Sequence, residues 1–141
     1  MITLEPLTKE LCAAVLAHEA LSIPHAPDWP HEDTFDAFRM FSGLPGTFLV
    51  LEDGVVVGDC GWFGPDEQVE IGYGLAPSAR GRGIGVESVR LLVDWVSAQG
   101  ASSVRAEVLP GNEPSLRLLA RLGFDDEGMR AGHRILVLPL R

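Results

Sequence analysis

A short glycine- and arginine-rich turn constrains what this chain can fold into more than any other feature. The segment RGRGIG, residues 80–85, follows an apolar run typical of a strand and precedes a long run of helical periodicity. The first amides of a helix have no partner inside the helix, and they lie at the positive end of its dipole. Glycines allow several such amides to converge on one anion, and arginines add positive charge. The segment therefore predicts a phosphate or pyrophosphate site, formed by Arg80, Gly81, Arg82, Gly83, Ile84, Gly85 and Val86.

Two other phosphate-binding motifs match this turn poorly. A P-loop requires a lysine followed by Ser or Thr after its last glycine, and the chain has neither there. A dinucleotide fingerprint requires a third glycine three residues after Gly85, where the chain has Ser88. Glu107 does lie roughly 20 residues farther on, where a ribose-binding acid is expected. The hypothesis of a dinucleotide-binding oxidoreductase fragment is therefore disfavoured. The motif by itself is also compatible with a plain glycine-rich turn whose arginines are solvated, without any ligand.

The remaining pattern predicts a mixed α/β domain with a mostly antiparallel sheet, spanning residues 1–141. Thr8 is expected to cap a helix through residues 9–21, and a second helix is expected near residues 35–41. Asp53-Gly54 lies between two apolar runs, which predicts a β-hairpin. After the glycine-rich turn the order is helix, strand, helix and a final hairpin.

The composition excludes several classes of function. The formal net charge of −9 disfavours tight nucleic-acid binding, which requires a basic face. No apolar run approaches the ~20 residues of a membrane span, and the N-terminal segment lacks the pattern of a signal peptide, so a cytoplasmic protein without membrane contact is expected. Cys12 and Cys60 match no metal or redox spacing and are predicted to be reduced core residues. The four histidines show no ligand spacing either, so no metal is expected.

Two motifs at a characteristic separation give a specific resemblance. The stretch LAPSARGRGIGVESVRLLVDWV carries an Arg-x-x-Gly-x-Gly pattern, and AEVLPGNEPSLRLLARLGF carries Asn-x-x-Ser followed by Gly-Phe. From Thr47 to about Phe124 the chain resembles the GNAT superfamily of N-acetyltransferases. EIGYGL before the turn, Glu87 after it and Ser115 resemble in particular the branch of ribosomal-protein N-terminal acetyltransferases (RimJ/RimL-like).

The resemblance implies a GNAT fold with acetyl-CoA as cofactor. Such a fold has a mixed, mostly antiparallel sheet of about seven strands, flanked by about four helices. Its strand at 69–75 splays from the strand at 103–108, and the pantetheine arm of CoA lies in the gap. Glycines inside a strand, here Gly72 and Gly74, often mark such irregularity. The implied cofactor contacts are the amides of residues 80–86 for the pyrophosphate, the backbone of Leu75 and Ala76 for the pantetheine, and Asn112.

Acetyl transfer to an amine requires a neutral nucleophile, so a base must remove a proton. The resemblance offers two carboxylates, Glu70 on the strand before the turn and Glu107 five residues before Asn112. For either one, a surface carboxylate paired with an arginine is an equally good interpretation. Glu70 is slightly favoured over Glu107.

The group that supports the departing thiolate is less clear in this chain. Many family members place a tyrosine seven residues after the asparagine, where this chain has Leu119. Ser115 is expected to donate a hydrogen bond to the sulfur instead, or only to cap its helix. The one tyrosine of the chain, Tyr73, lies on the earlier strand. The missing tyrosine keeps open the alternative of a non-catalytic acyl-CoA-binding module.

The acceptor is expected to be a primary amine. In the family, the region matching HAPDWPHEDTF walls the acceptor site, and its carboxylates suit a cation. Trp29, Phe35 and Trp62 are the predicted wall residues. The predicted function is therefore acetyl transfer from acetyl-CoA to a protein N-terminal α-amine or a small-molecule amine, by direct attack in a ternary complex. Family habit favours a homodimer.

Overall fold

A seven-stranded sheet organises the computed structural model, which describes residues 1–41 and 46–140. The sheet order is β1-β2-β3-β4-β5-β7-β6, and every neighbouring pair is antiparallel except β4 and β5. This confirms the predicted mixed, mostly antiparallel sheet. The strands are β1 Ile2–Pro6, β2 Thr47–Glu52, β3 Val55–Phe63, β4 Gln68–Leu75, β5 Ser103–Val108, β6 Asp125–Arg130 and β7 His133–Pro139.

Four helices flank the sheet, as expected. Thr8 caps α1 as predicted, because its hydroxyl oxygen accepts a hydrogen bond from Leu11 N at 3.1 Å. The helix is shorter than its sequence suggests: it ends at Leu16, and His18 then adopts a left-handed φ of 56°. None of the helices in the described ranges is long and apolar enough to cross a membrane. The helices are α1 Lys9–Leu16, α2 Glu32–Phe41, α3 Ile84–Ala98 and α4 Glu113–Arg121.

The predicted hairpin forms between β2 and β3. Asp53 and Gly54 have φ values of 50° and 85°, the two positive values that a tight two-residue turn between twisted strands requires. The register shifts between Val50 and Leu51, whose partners Gly58 and Val56 leave Val57 as an extra residue, which marks a bulge in β3. This hairpin continues into β4, so β2, β3 and β4 form one antiparallel unit.

The strands β4 and β5 separate shortly after they meet. They are parallel and pair only through Gln68–Ser103, Val69–Val104 and Glu70–Arg105. Beyond this last pair, β4 continues along β3 to Leu75, whereas β5 continues along β7. The two strands therefore diverge and leave a gap in the middle of the sheet, as predicted for residues 69–75 and 103–108.

The two faces of β3 and β4 are covered by different helices. Side chains alternate along a strand, so the pair Asp59–Gly74 faces one side and the pair Cys60–Tyr73 the other. On the first side Asp59 bonds to Thr34 of α2. On the second side the core packs under α3 and α4. There the ring of Trp62 of β3 packs against that of Trp95 of α3, with 5.8 Å between the ring centroids. The core includes the predicted cysteines and the helical run after the turn: Cys12, Cys60, Val89, Leu92 and Val96 are buried.

Leu119 belongs to this core, since its side chain is fully buried in α4. Replacing it by tyrosine adds bulk and an unpaired hydroxyl to a filled space. We expect Leu119→Tyr to lower the free energy of unfolding by roughly 1–3 kcal/mol. The near-isosteric Leu119→Met should cost less than about 1.5 kcal/mol. Urea unfolding of both variants checks this, and equal stability of the two would show that position 119 has spare room.

Candidate active site

The glycine-rich turn has the backbone geometry of an anion site. Gly81 and Gly83 have φ values of 76° and 81°, in the left-handed region that favours glycine. Gly83 is the N-cap residue of α3, and the bond from Glu87 N to Gly83 O, at 3.2 Å, is the first of the helix. The amides before Glu87 therefore precede the internal ladder of the helix. A Cβ at Gly83 would meet nothing within 4 Å, so the turn borders open space.

The last glycine of the turn has a packing role. A Cβ on Gly85 would lie only 2.9 Å from Leu118 Cδ1 of α4. The absence of a side chain therefore allows the beginning of α3 to approach α4 closely. This contact fixes the turn relative to the helix that carries Asn112 and Ser115.

The two arginines of the turn are engaged with the rest of the protein. The guanidinium of Arg82 donates two hydrogen bonds to the Glu52 carboxylate, at 2.7 and 3.0 Å, and it lowers the pKa of that carboxyl. Arg80 Nε donates to Leu75 O at 3.2 Å. Both side chains are therefore held by other parts of the protein, and the addition of charge to an anion site by Arg80 and Arg82 stays a prediction.

The backbone of Ala76 is used inside the fold. Its N–H donates to Val57 O at 2.8 Å, and its carbonyl accepts from Ala79 N at 2.9 Å. The N–H of Ala76 is therefore engaged within the fold, and the predicted pantetheine contact there stays a prediction for its carbonyl, which has a second lone pair. The edge of β4 that faces β5 is better placed, because strand pairing there stops at Glu70.

A tyrosine and a serine meet across the gap. The Tyr73 hydroxyl of β4 hydrogen-bonds to Ser115 Oγ of α4. Asn112 provides the helix cap, since its Oδ1 accepts from Ser115 N at 3.3 Å, so the Ser115 hydroxyl is not needed as a cap. Burial raises the pKa of Tyr73, and the hydrogen bond from Ser115 acts in the opposite direction. Sequence analysis missed this pair, although a lone tyrosine on the strand that borders the gap was an available signal.

The two candidate bases lie on either side of one arginine. Arg105 Nη2 is 2.9 Å from Glu107 Oε2, and Arg105 Nε is 3.8 Å from Glu70 Oε1. Burial, and next the negative charge of Glu107, raise the pKa of Glu70, while Arg105 opposes the shift. Glu70 and Arg105 form the last β4–β5 pair, where the gap begins. No set of described residues clusters histidines, cysteines and carboxylates as a metal site would.

A cavity of about 100 Å³ lies between α2 and strands β2–β4. Asp33 and Ala37, one helical turn apart, line the cavity from α2. Phe35 does not line it, and its ring packs on that of His18 with 4.9 Å between the ring centroids. Trp29 is only 1% exposed and belongs to the core. Of the three predicted wall residues only Trp62 borders the cavity, and its ring packs against α3.

The cavity contains a carboxylate that sequence analysis did not select. Asp59 lies in the middle of β3 and is 5% exposed. Its Oδ2 accepts hydrogen bonds from Trp29 Nε1 at 3.0 Å and from Thr34 Oγ1 at 2.8 Å. Burial raises the pKa of Asp59 despite these bonds. The available signal was an aspartate inside the otherwise apolar strand VVVGDCGWF.

Comparison with known proteins agrees with this architecture. Residues 2–125 match the family model described as an acetyltransferase (GNAT) domain. The chain therefore belongs to the GNAT acetyltransferase domain family.

Three individual proteins similar to this chain share only 22–34% of its residues in the aligned regions. An uncharacterized N-acetyltransferase, p20, of Bacillus licheniformis is 34% identical over 87 residues, covering 59% of this chain and 49% of the relative. The structure of Mycobacterium smegmatis RimJ in complex with CoA-disulfide superposes with a TM-score of 0.68 at 22% identity, covering 98% of this chain and 81% of RimJ. A phosphinothricin acetyltransferase of Sinorhizobium meliloti in complex with AcCoA gives a TM-score of 0.70 at 22% identity, covering 99% and 88%. The chain spans half or less of the length of the curated relatives that it matches.

Tyr73 can be titrated directly, because it is the only tyrosine of the chain. We expect tyrosinate absorbance to appear at higher pH in the folded protein than in urea, where the ordinary pKa of about 10 applies. Ser115→Ala removes the bond that favours the ionised form, so it should raise the pKa further. Because the folded pKa is raised, stability should fall as pH rises through this range. A folded-state titration that coincides with the one in urea would contradict the burial of the hydroxyl.

Proposed function

We propose that this protein is an acetyl-CoA-dependent N-acetyltransferase that acts on a primary amine. The observation that carries the proposal is the open, amide-lined turn at Gly83 beside the gap between β4 and β5, with Tyr73 and Ser115 across that gap. The family supports the reaction class, and structural relatives solved with AcCoA or CoA-disulfide support the cofactor.

The shape of the turn and of the gap fits this cofactor. The amides that precede Glu87 are suited to a pyrophosphate, and the open space at Gly83 leaves room for it. The unpaired edge of β4 beyond Glu70 is suited to the amides of a pantetheine arm, with Leu75 at its end and Asn112 on the opposite helix. When bound, acetyl-CoA supplies an activated acetyl group as a thioester.

Glu70 is the best candidate for the general base. Its pKa is raised, which brings a carboxylate closer to the pH at which it must accept a proton from an ammonium group. Glu107 forms the shorter contact with Arg105, so its charge is the better compensated of the two. In this assignment Glu107 acts on Glu70 through its charge.

Ser115 and Tyr73 are placed to support the sulfur on the other side of the reaction. The Ser115 hydroxyl accepts from or donates to Tyr73, and a hydroxyl that accepts from Tyr73 has its own hydrogen free to donate. Such a donor stabilises negative charge that develops on sulfur. This pair takes the place of the missing tyrosine at Leu119.

The acceptor class has two candidates at this level, a protein N-terminal α-amine and a small-molecule amine. The motif details of the N-terminal acetyltransferase branch and the structural similarity to RimJ favour the first. The small cavity beside Asp59 favours the second. Incubation with acetyl-CoA and a panel of peptides and amines, followed by mass spectrometry, tests both. No acetylated product with any amine would instead support a non-catalytic acyl-CoA-binding module.

Substitution of the turn tests the cofactor site. Gly83→Asp places a carboxylate where the pyrophosphate is proposed to bind, so we expect CoA affinity to fall by at least about tenfold. Gly100→Asp is the matched control, because Gly100 also has a left-handed φ, at 96°, and open space around it, but lies beyond the other end of α3. Calorimetry with CoA on both folded variants measures the difference. Equal affinities for the two variants would remove the turn from the cofactor site.

The pH profile of the reaction distinguishes the two carboxylates. With Glu70 as base, kcat/KM rises through its raised pKa, and Glu70→Gln should lose this acidic limb and roughly 10²–10⁴-fold in rate. Glu107→Gln removes a charge that raises the pKa of Glu70, so the limb should persist and move to lower pH. The reverse pattern, with the limb lost only in Glu107→Gln, would assign the base to Glu107.

A further inference from the structure

Asp59 is a buried carboxylate that forms no ion pair with any of the described residues. The ion pairs among residues 1–41 and 46–140 do not include it, and its hydrogen bonds come from the neutral groups of Trp29 and Thr34. Both bonds end on Oδ2, so within the described ranges Oδ1 accepts none. Burying a charge without a partner is costly. A cation that binds beside Oδ1 would offset this cost.

The neighbouring histidine, His31, contacts Thr34 and does not bond to Asp59 directly. Thr34 Oγ1 donates its only hydrogen to Asp59, so it can only accept from His31 Nδ1, which lies 3.1 Å away. His31 therefore positions Thr34, and its Nε2 is buried without a partner, toward Gly74. The groups that face Asp59 are thus the hydroxyl of Thr34, the indole of Trp29, the ring of His31 and a second carboxylate, Asp33.

The cavity next to Asp59 is anionic and is kept open by glycine. Asp59 and Asp33 line it, and none of the described residues that line it is basic. Its floor is formed by Gly61, Gly72 and Gly74, and a Cβ on Gly72 would meet nothing within 4 Å. The cavity opens to the surface, and its volume of about 100 Å³ is below the roughly 150 Å³ that holds benzene, so it suits a slender alkylammonium arm better than a ring.

The cavity lies on the same face of the sheet as the candidate base Glu70, but Asp59 and Glu70 lie at different positions along the strands. Asp59 pairs with Gly74, and Phe63 pairs with Glu70, so the two acids are four residues apart along the strands. At about 3.3 Å per residue this is a separation of roughly 13 Å. A cation beside Asp59 is therefore a different group from the amine that gives its proton to Glu70.

We propose that this cavity binds a second ammonium group of the acceptor, which makes the acceptor a small dicationic amine. The inference rests on the proposed acetyltransferase function and adds a substrate class to it. One amine of the acceptor lies at Glu70 and reacts, while the other is held by Asp59 and Asp33. A peptide N-terminus offers only one such charge, so the cavity favours a small diamine over a protein.

Putrescine, spermidine and butylamine test the proposal as acceptors. We expect kcat/KM to be at least about tenfold higher for spermidine than for butylamine in the wild type, with a smaller gain for putrescine, whose two nitrogens lie too close together to reach both acids well. Asp59→Asn keeps an oxygen for Trp29 and Thr34 but removes the charge, so it should reduce that ratio at least about tenfold. Asp94→Asn is the control, because this exposed acid lies on α3 outside the cavity and should leave the ratio unchanged. A ratio near one in the wild type, or an unchanged ratio in Asp59→Asn, would overturn the proposal.

Two further measurements separate this proposal from its alternatives. If no amine is acetylated, the proposed reaction fails, but calorimetric binding of putrescine to wild type and Asp59→Asn still decides whether the cavity is a cation site. Without ligand, Asp59→Asn should raise the melting temperature at neutral pH, because it removes an unpaired buried charge. A lower melting temperature combined with unchanged putrescine binding would show that Asp59 only joins α2 to the sheet.

Discussion

The separation of β4 from β5 is the constraint on which the rest of the structure depends. After Glu70, each strand follows its antiparallel neighbour instead of its parallel one. The backbone edges that face the gap then lack strand partners, and unpaired buried backbone groups must be satisfied in some other way. A ligand with its own amides solves this problem along the length of the gap. The helix after β4 begins at the same end, so amides for an anion and for an extended arm come from one continuous stretch of chain.

Local chemistry made much of this fold predictable. Thr8 as a helix cap, Asp53-Gly54 as a hairpin turn and Gly83 before α3 each depend on a few neighbouring residues. The GNAT resemblance then supplied the approximate number of strands and the gap. The end of α1 was wrong because the apolar pattern continues past Leu16 while the backbone leaves the helix at His18.

The site was less predictable because its decisive contacts join distant segments. Tyr73 and Ser115 are 42 residues apart, Trp29 and Asp59 30, and Arg82 and Glu52 30. No local sequence pattern shows that Arg82 pairs with Glu52 of β2, or that the buried indole of Trp29 donates a hydrogen bond to Asp59. Glu70, Gly72 and Gly74 alternate along β4 and share a face, and the acid opposite Gly74 on β3 emerged only from the strand register.

The ion pair between Arg82 and Glu52 has a consequence for how the turn meets its ligand. It ties a glycine-rich segment, which would otherwise sample many conformations, to the end of the second strand. Its geometry is bidentate, so it restricts rotation as well as distance. Much of the entropy that such a loop loses on binding is therefore lost already during folding. Association then resembles docking to a rigid receptor more than closure of a flexible flap.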